Sequence, residues 1–256
     1  MLPISVLVSF VAVFAARAAV PAPIYEENFN MRHDRVRLVN GAALGGPGTG
    51  VSGMLGDRAY MGAPRSTEQE PNSPVAYAIA PIADRELGAF TCAFWYFLDE
   101  QTPDLQVLAE TAGAGFFLHR NGFEIRLAGN SPEIRTRIFA TGSRGTWCDW
   151  TASGRWIFVA FTWRQEQNRM EVYQGTFDGA VTLVREMRRD VPTSPLGVRD
   201  SVISRPETLG NTYTPKHDRP LAGRMDNFRF YDRVLDQAQV ERLRLADVGN
   251  RPVSPE

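Results

Sequence analysis

The chain carries little net charge and almost no lysine. Its 256 residues hold 28 Lys and Arg against 29 Asp and Glu, a formal net charge of -1 at pH 7, and Lys216 is the only lysine. A chain so close to neutral has no positive field to draw it onto nucleic acid or an anionic membrane. We attribute the shortage of lysine to the base composition of the genome rather than to function.

Cysteine and histidine are also scarce, which limits metal and nucleophile chemistry. There are two cysteines and three histidines, with no HExxH motif and no cluster of Cys and His, so a zinc site is unsupported. The histidines are not accompanied by GxSxG, the motif that carries the serine nucleophile in α/β-hydrolases. The segment Gly48–Gly53 does spell GxGxxG. It lacks the flanking strand and helix of a dinucleotide site and is interpreted as a loop.

The chain also lacks the paired acids of a retaining glycosidase. Such enzymes hold two carboxyl groups about 5 Å apart, which on one strand face requires a string such as ExDxxE. No such string is present: Glu68, Glu70 and Glu86 lie in loop-like sequence, and Glu124 has no acid two residues on. We therefore predict that the protein is not an enzyme.

The N-terminus holds an apolar stretch that is too short to span a bilayer. Residues 1–22 end in small residues, and Ala16-Arg17-Ala18 fits the rule for signal peptidase cleavage. We predict a signal peptide over residues 1–18, export to the periplasm, cell surface or medium, and no membrane span after cleavage. An uncleaved anchor remains the alternative because no Lys or Arg precedes Arg17.

Export makes Cys92 and Cys148 candidates for a disulfide, since an oxidising compartment allows one to form. Cys92 lies inside the apolar segment FTCAFWYF. A buried thiol there would act as a small hydrophobic residue, so both alternatives stay open.

Strand-like segments separated by turn signals follow one another along the chain. The clearest are 24–29, 75–79, 90–98, 106–110, 116–119, 123–127, 156–163, 170–173, 181–184 and 225–231, with an Asn-Gly hairpin turn at 121–122. Only one helix is convincing, with Asp236 as N-cap and Gln239 closing a capping box. We predict an all-β antiparallel sandwich over residues 19–248 with one short C-terminal helix, followed by a disordered tail at 249–256.

Three segments carry a family resemblance. GRMDNFRFYDRVL, beginning at Gly223, matches G-x-I-D-x-V-x-I-Y-N-R-A-L, and FTCAFWYFLDE at Phe90 and GRWIFVAFTW at Gly154 match two middle strands. The chain thus resembles the laminin-G-like, concanavalin A-like jelly-roll family that includes lectins and glucanases. The resemblance implies a β-sandwich and, most often, a binding or spacer domain.

The resemblance also implies a structural Ca²⁺ site at Asp226. Its alternation with Phe228 and Phe230 predicts that all three share one strand face, so the Asp226 carboxylate needs a partner. The first strand could add Glu27 or Asn28, which are hard oxygen ligands of the kind that Ca²⁺ prefers. The alternative is a carboxylate bonded to backbone amides or paired with Arg224.

Aromatic residues predicted in loops suggest a sugar site. Trp147, Trp150 and Tyr213 have polar neighbours, an arrangement suited to stacking against sugar rings, although such residues also plug the ends of sandwiches. Trp95 and Trp156 are predicted core residues. Segments 90–97 and 156–163 are apolar on both faces, so loops of the chain, or a ligand or partner, must cover the second face.

These observations lead to one functional hypothesis with two alternatives. The protein is expected to be an exported, non-catalytic module that binds a polysaccharide or another extracellular surface component. The alternatives are a structural or adhesive spacer and a diverged glycoside hydrolase. The binding hypothesis rests on the fold-level resemblance.

Overall fold

The structure is a computed structural model that describes part of the chain. The described residues are 19–30, 37–39, 42–62, 77–80, 87–99, 106–110, 123–127, 133–138, 144–149, 154–188, 207–209 and 221–249. The strands are β1 Tyr25–Glu27, β2 Arg37–Val39, β3 Ala43–Leu44, β4 Tyr60–Met61, β5 Tyr77–Ala80, β6 Ala89–Leu98, β7 Gln106–Glu110, β8 Phe123–Leu127, β9 Glu133–Ile138, β10 Arg144–Asp149, β11 Trp156–Arg164, β12 Arg169–Thr176, β13 Thr182–Arg188, β14 Glu207–Leu209 and β15 Gly223–Tyr231. The helix is α1 Gln237–Val248.

The strands form two antiparallel sheets. The first sheet has the order β13-β12-β11-β6-β15-β4-β3, with β1 also paired to β15. The second sheet has the order β10-β9-β8-β7-β14-β5-β2. Two sheets with apolar faces toward each other are a sandwich, so the predicted fold class is confirmed.

The inner face of the first sheet packs against the second sheet. Alternate residues of β6 and β11 point to this side, and Leu108 and Ile125 of the second sheet join the same buried cluster. The contacts are largely aromatic: the rings of Phe90 and Phe230 stack with centroids 5.2 Å apart. This cluster is the main hydrophobic core.

The outer face of the first sheet is covered by α1 and by residues 45–59, which connect β3 to β4 and are called the glycine-rich segment. Trp95 and Phe158 form a second buried cluster there with Leu243 of the helix and Val51 of the segment. The chain's own residues therefore cover the second face of the two doubly apolar strands. Val51 belongs to a segment that the sequence analysis interpreted as a loop, whereas the role of the helix was not predicted.

The predicted cap of α1 is confirmed. The Asp236 carboxylate accepts a hydrogen bond from the Gln239 amide at 2.7 Å, and the Gln239 side chain accepts one from the Asp236 amide at 3.0 Å. Arg244 then donates to the carbonyls of Thr176 and Phe177. The helix is thereby fixed to the turn that follows β12.

Strand β15 contains a bulge that the sequence analysis did not predict. Asp226 pairs with Trp95 but Arg229 pairs with Ala93, so β15 has one extra residue between them. The bulge shifts the alternation. The prediction that Asp226 shares a face with Phe228 and Phe230 is therefore wrong, because those phenylalanines pack in the inner core while Asp226 lies opposite Trp95.

The two cysteines lie on different sheets. Cys92 is fully buried in β6, in the middle of the first sheet, and Cys148 belongs to β10, an edge strand of the second. Strand β10 lies close to β13, which is three strands away from β6 in the first sheet. The disulfide stays a prediction, and alkylation of unreduced, denatured protein tests it.

Residues 1–18 and 250–256 lie outside the described residues, so the signal peptide and the tail stay predictions. The first described residue, Ala19, accepts a hydrogen bond from the Gln239 side chain at 3.3 Å. Within the described part of the chain, α1 is neither long nor apolar enough to cross a membrane.

Candidate functional site: a polar pocket beside Asp226

A pocket of about 520 Å³ opens at the outer side of the first sheet. It lies between β1, the bulge of β15, the glycine-rich segment and the last turn of α1. The residues that line it are Glu26, Asn28, Asn30, Val51, Ser52, Met54, Gly56, Asp57, Asn227, Arg229, Ala246 and Asp247. We call this cavity the polar pocket.

Two carboxylates hold the glycine-rich segment in place. Asp226 accepts hydrogen bonds from the amides of Val51 at 2.8 Å and Asn227 at 2.7 Å. Asp57 accepts one from the amide of Ser52 at 2.7 Å. The consecutive amides of Val51 and Ser52 are thus fixed by two different acids, which shapes one wall of the polar pocket.

The backbone around the polar pocket adopts unusual conformations. Phe29, just after β1, and Asn227, in the bulge of β15, have φ of 56° and 49°. Such a φ is uncommon outside glycine and costs free energy that the surroundings must offset. Nearby, Asn30 accepts a hydrogen bond from the Arg58 amide at 2.7 Å. The two strained positions lie beside side chains that face the cavity.

An ion-pair network forms another wall of the polar pocket. The two Nη atoms of Arg229 donate to the two carboxylate oxygens of Asp247 at 2.9 and 2.8 Å, and its Nε donates to Glu26 at 2.7 Å. The indole of Trp95 also donates to Asp247 at 2.8 Å. This network connects α1, β1, β6 and β15.

Burial perturbs the acids of this region. Burial raises the pKa of Asp226 well above its ordinary value, and the charge of Asp57 raises it further. Burial also raises the pKa of Asp247, although the bonds from Arg229 and Trp95 oppose this effect. Asp226 therefore carries its negative charge at a free-energy cost in the described structure.

The three predicted metal ligands are only partly brought together. Asn28 lines the polar pocket and Asp226 lies behind Val51. Glu27 does not line it, and its Oε1 accepts a hydrogen bond from the Phe29 amide at 2.8 Å. The described residues contain no group of three or more His, Cys, Asp or Glu placed to hold a metal. The amide bonds of Asp226 match the alternative left open by the sequence.

A cation at Asp226 nevertheless fits the chemistry of its surroundings. Two acids, Asp226 and Asp57, hold the same segment, and the charge of one disfavours ionisation of the other. A divalent ion would relieve that repulsion. The carboxylate of Asp226 and the side-chain oxygen of Asn28 are hard ligands of the kind Ca²⁺ takes. The calcium site therefore stays a prediction with Asp226 and Asn28 as its residues.

Of the predicted sugar-stacking residues, one lies in a described strand and two lie outside the described residues. Trp147 lies in the edge strand β10 and not in a loop, and it pairs with Arg135 of β9. Trp150 and Tyr213 lie outside the described residues. Trp95 is fully buried as predicted, whereas Trp156 is only partly buried and packs against the outer cluster.

Five of the residues that line the polar pocket were missed because they come from the glycine-rich segment, part of which was interpreted as a loop. Ser52 and Asp57 belong to it, and only the folded chain brings them to Asn227 and Arg229. One signal was available. Asn is the residue that most readily takes the left-handed conformation after glycine, and Asn227 interrupts the apolar alternation of its strand.

Several solved structures are similar to this chain. The sialidase CBM40 of Ruminococcus gnavus, solved bound to α2,3-sialyllactose, is 13% identical with a TM-score of 0.48. The match covers 63% of this chain and 84% of the CBM40 chain. A pentraxin of Limulus polyphemus is 12% identical with a TM-score of 0.45, covering 61% and 70%. Botulinum neurotoxin type C, which depends on two ganglioside molecules to enter cells, is 10% identical with a TM-score of 0.55, covering 82% and 46%.

Of these three likenesses, the one to the neurotoxin has a TM-score above 0.5, and at 10% identity it shows the fold alone. No curated protein has a sequence that matches this chain. The family model described as concanavalin A-like lectin/glucanases superfamily matches residues 73–241, which is more than half of the chain. The chain belongs to the concanavalin A-like lectin/glucanases superfamily.

Proposed function

We propose that the protein is an exported, non-catalytic module that binds a carbohydrate in the polar pocket. The observation that carries this proposal is the convergence of amide and carboxylate side chains from β1, β15, α1 and the glycine-rich segment on one cavity. Its volume of about 520 Å³ lies in the range typical of small-molecule sites. A few placed polar groups are what orient a ligand in such a site.

The side chains suit the hydroxyl groups of a sugar. Each hydroxyl can donate and accept a hydrogen bond. The carboxylates of Glu26 and Asp57 accept, and the amides of Asn28 and Asn227 can do both. The described lining residues include no aromatic ring, so affinity here would depend on hydrogen bonds rather than on stacking.

The acids of the polar pocket are engaged in structural bonds, which favours binding without turnover. Asp247 accepts from Arg229 and Trp95, Asp57 accepts from the Ser52 amide, and Glu26 pairs with Arg229. A glycosidase needs one carboxyl that donates a proton and a second that acts as base or nucleophile. Acids held in this way are poorly placed to exchange protons with a substrate.

Calcium is proposed as a structural partner of the binding site. Asp226 and Asn28 would hold the ion, which would offset the negative charge behind Val51 and fix the glycine-rich segment. The ion would thereby preserve the shape of the polar pocket.

The superfamily supports the proposal of carbohydrate binding, since its name covers both lectins and glucanases. The fold is also shared with the ganglioside-dependent neurotoxin.

A glycan array tests the proposal. The chain from residue 19 onward is applied with millimolar calcium and, separately, with a chelator, and every retained polymer is then assayed for released reducing ends. We expect retention of at least one glycan without release of sugar. Release of reducing ends would favour the hydrolase, and an array with no retained glycan would favour the spacer.

Intact-mass measurement of secreted protein tests the proposed export, since it shows whether the secreted chain begins at Ala19.

A further inference from the structure

The charges that line the polar pocket are unequal. Glu26, Asp57 and Asp247 contribute carboxylates, and Arg229 is the one cation among the described lining residues. A fourth acid, Asp226, lies directly behind Val51. The described lining therefore gives the cavity a negative potential, although the whole chain is nearly neutral.

Arg229 cannot readily reverse this potential for a ligand. Its Nε and both Nη atoms already donate to Glu26 and Asp247. The Asp247 side chain is only 4% exposed, so a ligand that took Arg229 would leave a buried carboxylate without its cation. Breaking a buried pair in this way is strongly destabilising. The guanidinium is therefore committed to the protein.

A bound divalent cation would reduce the negative potential without making it positive. The four acids outnumber the charges of Arg229 and one such ion together. Groups that accept hydrogen bonds thus dominate the polar pocket with or without calcium. A ligand that donates hydrogen bonds complements them, and a ligand carboxylate meets like charge.

We propose that the polar pocket takes a glycan that is uncharged or carries an amine, and that it discriminates against glycans that carry a carboxylate. This inference rests on the proposed function and specifies its substrate class. The discrimination comes from the excess of carboxylates, those of Glu26, Asp57 and Asp247, over the single cation Arg229 in the described lining, since specificity is often set by repulsion of the wrong ligand.

Matched oligosaccharides test the inference. Each of several oligosaccharide backbones is prepared in a neutral form, in a second form with an amine at C2 and in a third form with a carboxylate at C6. The affinity of each form is measured in calcium and in chelator. We expect the carboxylate form to bind roughly tenfold or more weakly than the neutral form on any retained backbone. The difference should shrink between about 0.01 and 1 M salt, because the Debye length falls from about 30 to about 3 Å.

A pair of charge variants identifies the source of the discrimination. Glu26→Gln should lower the ratio of the affinity for the neutral form to the affinity for the carboxylate form about threefold, the usual scale for one exposed charge. Glu166→Gln makes the same change in the exposed turn after β11 and should leave the ratio unaltered. Equal or tighter binding of carboxylate forms overturns the inference while the proposed function stands. Retention of no backbone in any form overturns both.

Discussion

The inner and outer faces of the first sheet are built from the same strands but are stabilised in different ways. On the inner face, rings of β6, β11 and β15 stack on one another and on the second sheet, and the cluster is almost wholly apolar. On the outer face, the apolar cluster under α1 ends at Trp95, whose indole bonds to Asp247. Beyond that bond lie the charged network and the polar pocket.

The difference shows where a sandwich of this kind can accommodate a binding site. A face that packs sheet on sheet buries mainly apolar side chains, whereas a face covered by one helix has an edge where polar groups meet water. The bulge at Asn227 lies at that edge and changes which side chains of β15 turn outward. Stability is therefore concentrated on the inner face, and the proposed binding site lies at the edge of the outer face.

The largest expected effect concerns the inner face. Phe94 is fully buried and stacks on Phe228 with centroids 5.9 Å apart. Phe94→Ala should lower the free energy of unfolding by about 3 to 5 kcal/mol through lost contacts and a cavity, with glycan affinity of the folded fraction retained. Chemical denaturation measures the loss. A cost below about 1 kcal/mol would show that the inner face is not the main core.

Calcium should act on the outer face alone. At a concentration a hundredfold above its dissociation constant, the ion should stabilise the fold by about 2.7 kcal/mol, which is seen as a higher Tm in calcium than in chelator. Asp226→Ala should abolish this response. Glu27→Gln is the matched variant and should keep it, because Glu27 bonds to the Phe29 amide and does not line the polar pocket. Identical wild-type melting in both buffers would disprove the calcium site.

A pair of tryptophan variants compares the two faces directly. Trp95 on the outer face and Trp163 on the inner face are both almost fully buried. Changing either to Phe removes similar volume, but Trp95→Phe also removes a donor to the Asp247 carboxylate. Trp95→Phe should therefore cost about 2 kcal/mol more than Trp163→Phe. Equal costs in denaturant titrations would mean that the bond to Asp247 contributes nothing.

The dependence of stability on pH should also come from the outer face. Burial raises the pKa of Asp226 in the folded state. Its protonation therefore stabilises the folded state fully at pH values below the ordinary carboxyl pKa. This stabilisation is lost as the pH rises through the folded-state pKa. In chelator, Asp226→Asn should therefore lose less stability than the wild type between pH 5 and 7. Denaturant titrations at both pH values measure this. Parallel pH profiles would contradict it.

Much of the fold was predictable from the sequence because alternation and caps are local signals. The long strands β6, β11 and β15 and the capping box of α1 follow from residues within a few positions of one another. The two apolar faces of β6 and β11 also predicted that something must cover the sheet. Which element covers the sheet depends on long-range packing, and the role of the predicted helix as that cover was identified only in the structure.

The site was less predictable because it depends on one inserted residue. The strict alternation of β15 puts Asp226 beside Phe228, and the bulge at Asn227 reverses that assignment. The bulge also brings Asn227 and Arg229 to the same cavity as Asp57, about 170 positions earlier in the chain. No local pattern encodes that convergence, although Asp226 itself was identified from its strand.

Titration calorimetry with the tightest-binding glycan tests the central claim most directly. Asn227→Gly removes a side chain of the polar pocket while keeping a residue that accepts positive φ. Asn168→Gly makes the same change at another positive φ, in the turn between β11 and β12. We predict that Asn227→Gly weakens binding about fivefold, the scale of one hydrogen bond, and that Asn168→Gly binds like the wild type. Unchanged affinity in Asn227→Gly, or an equal loss in both variants, would contradict a carbohydrate site in the polar pocket.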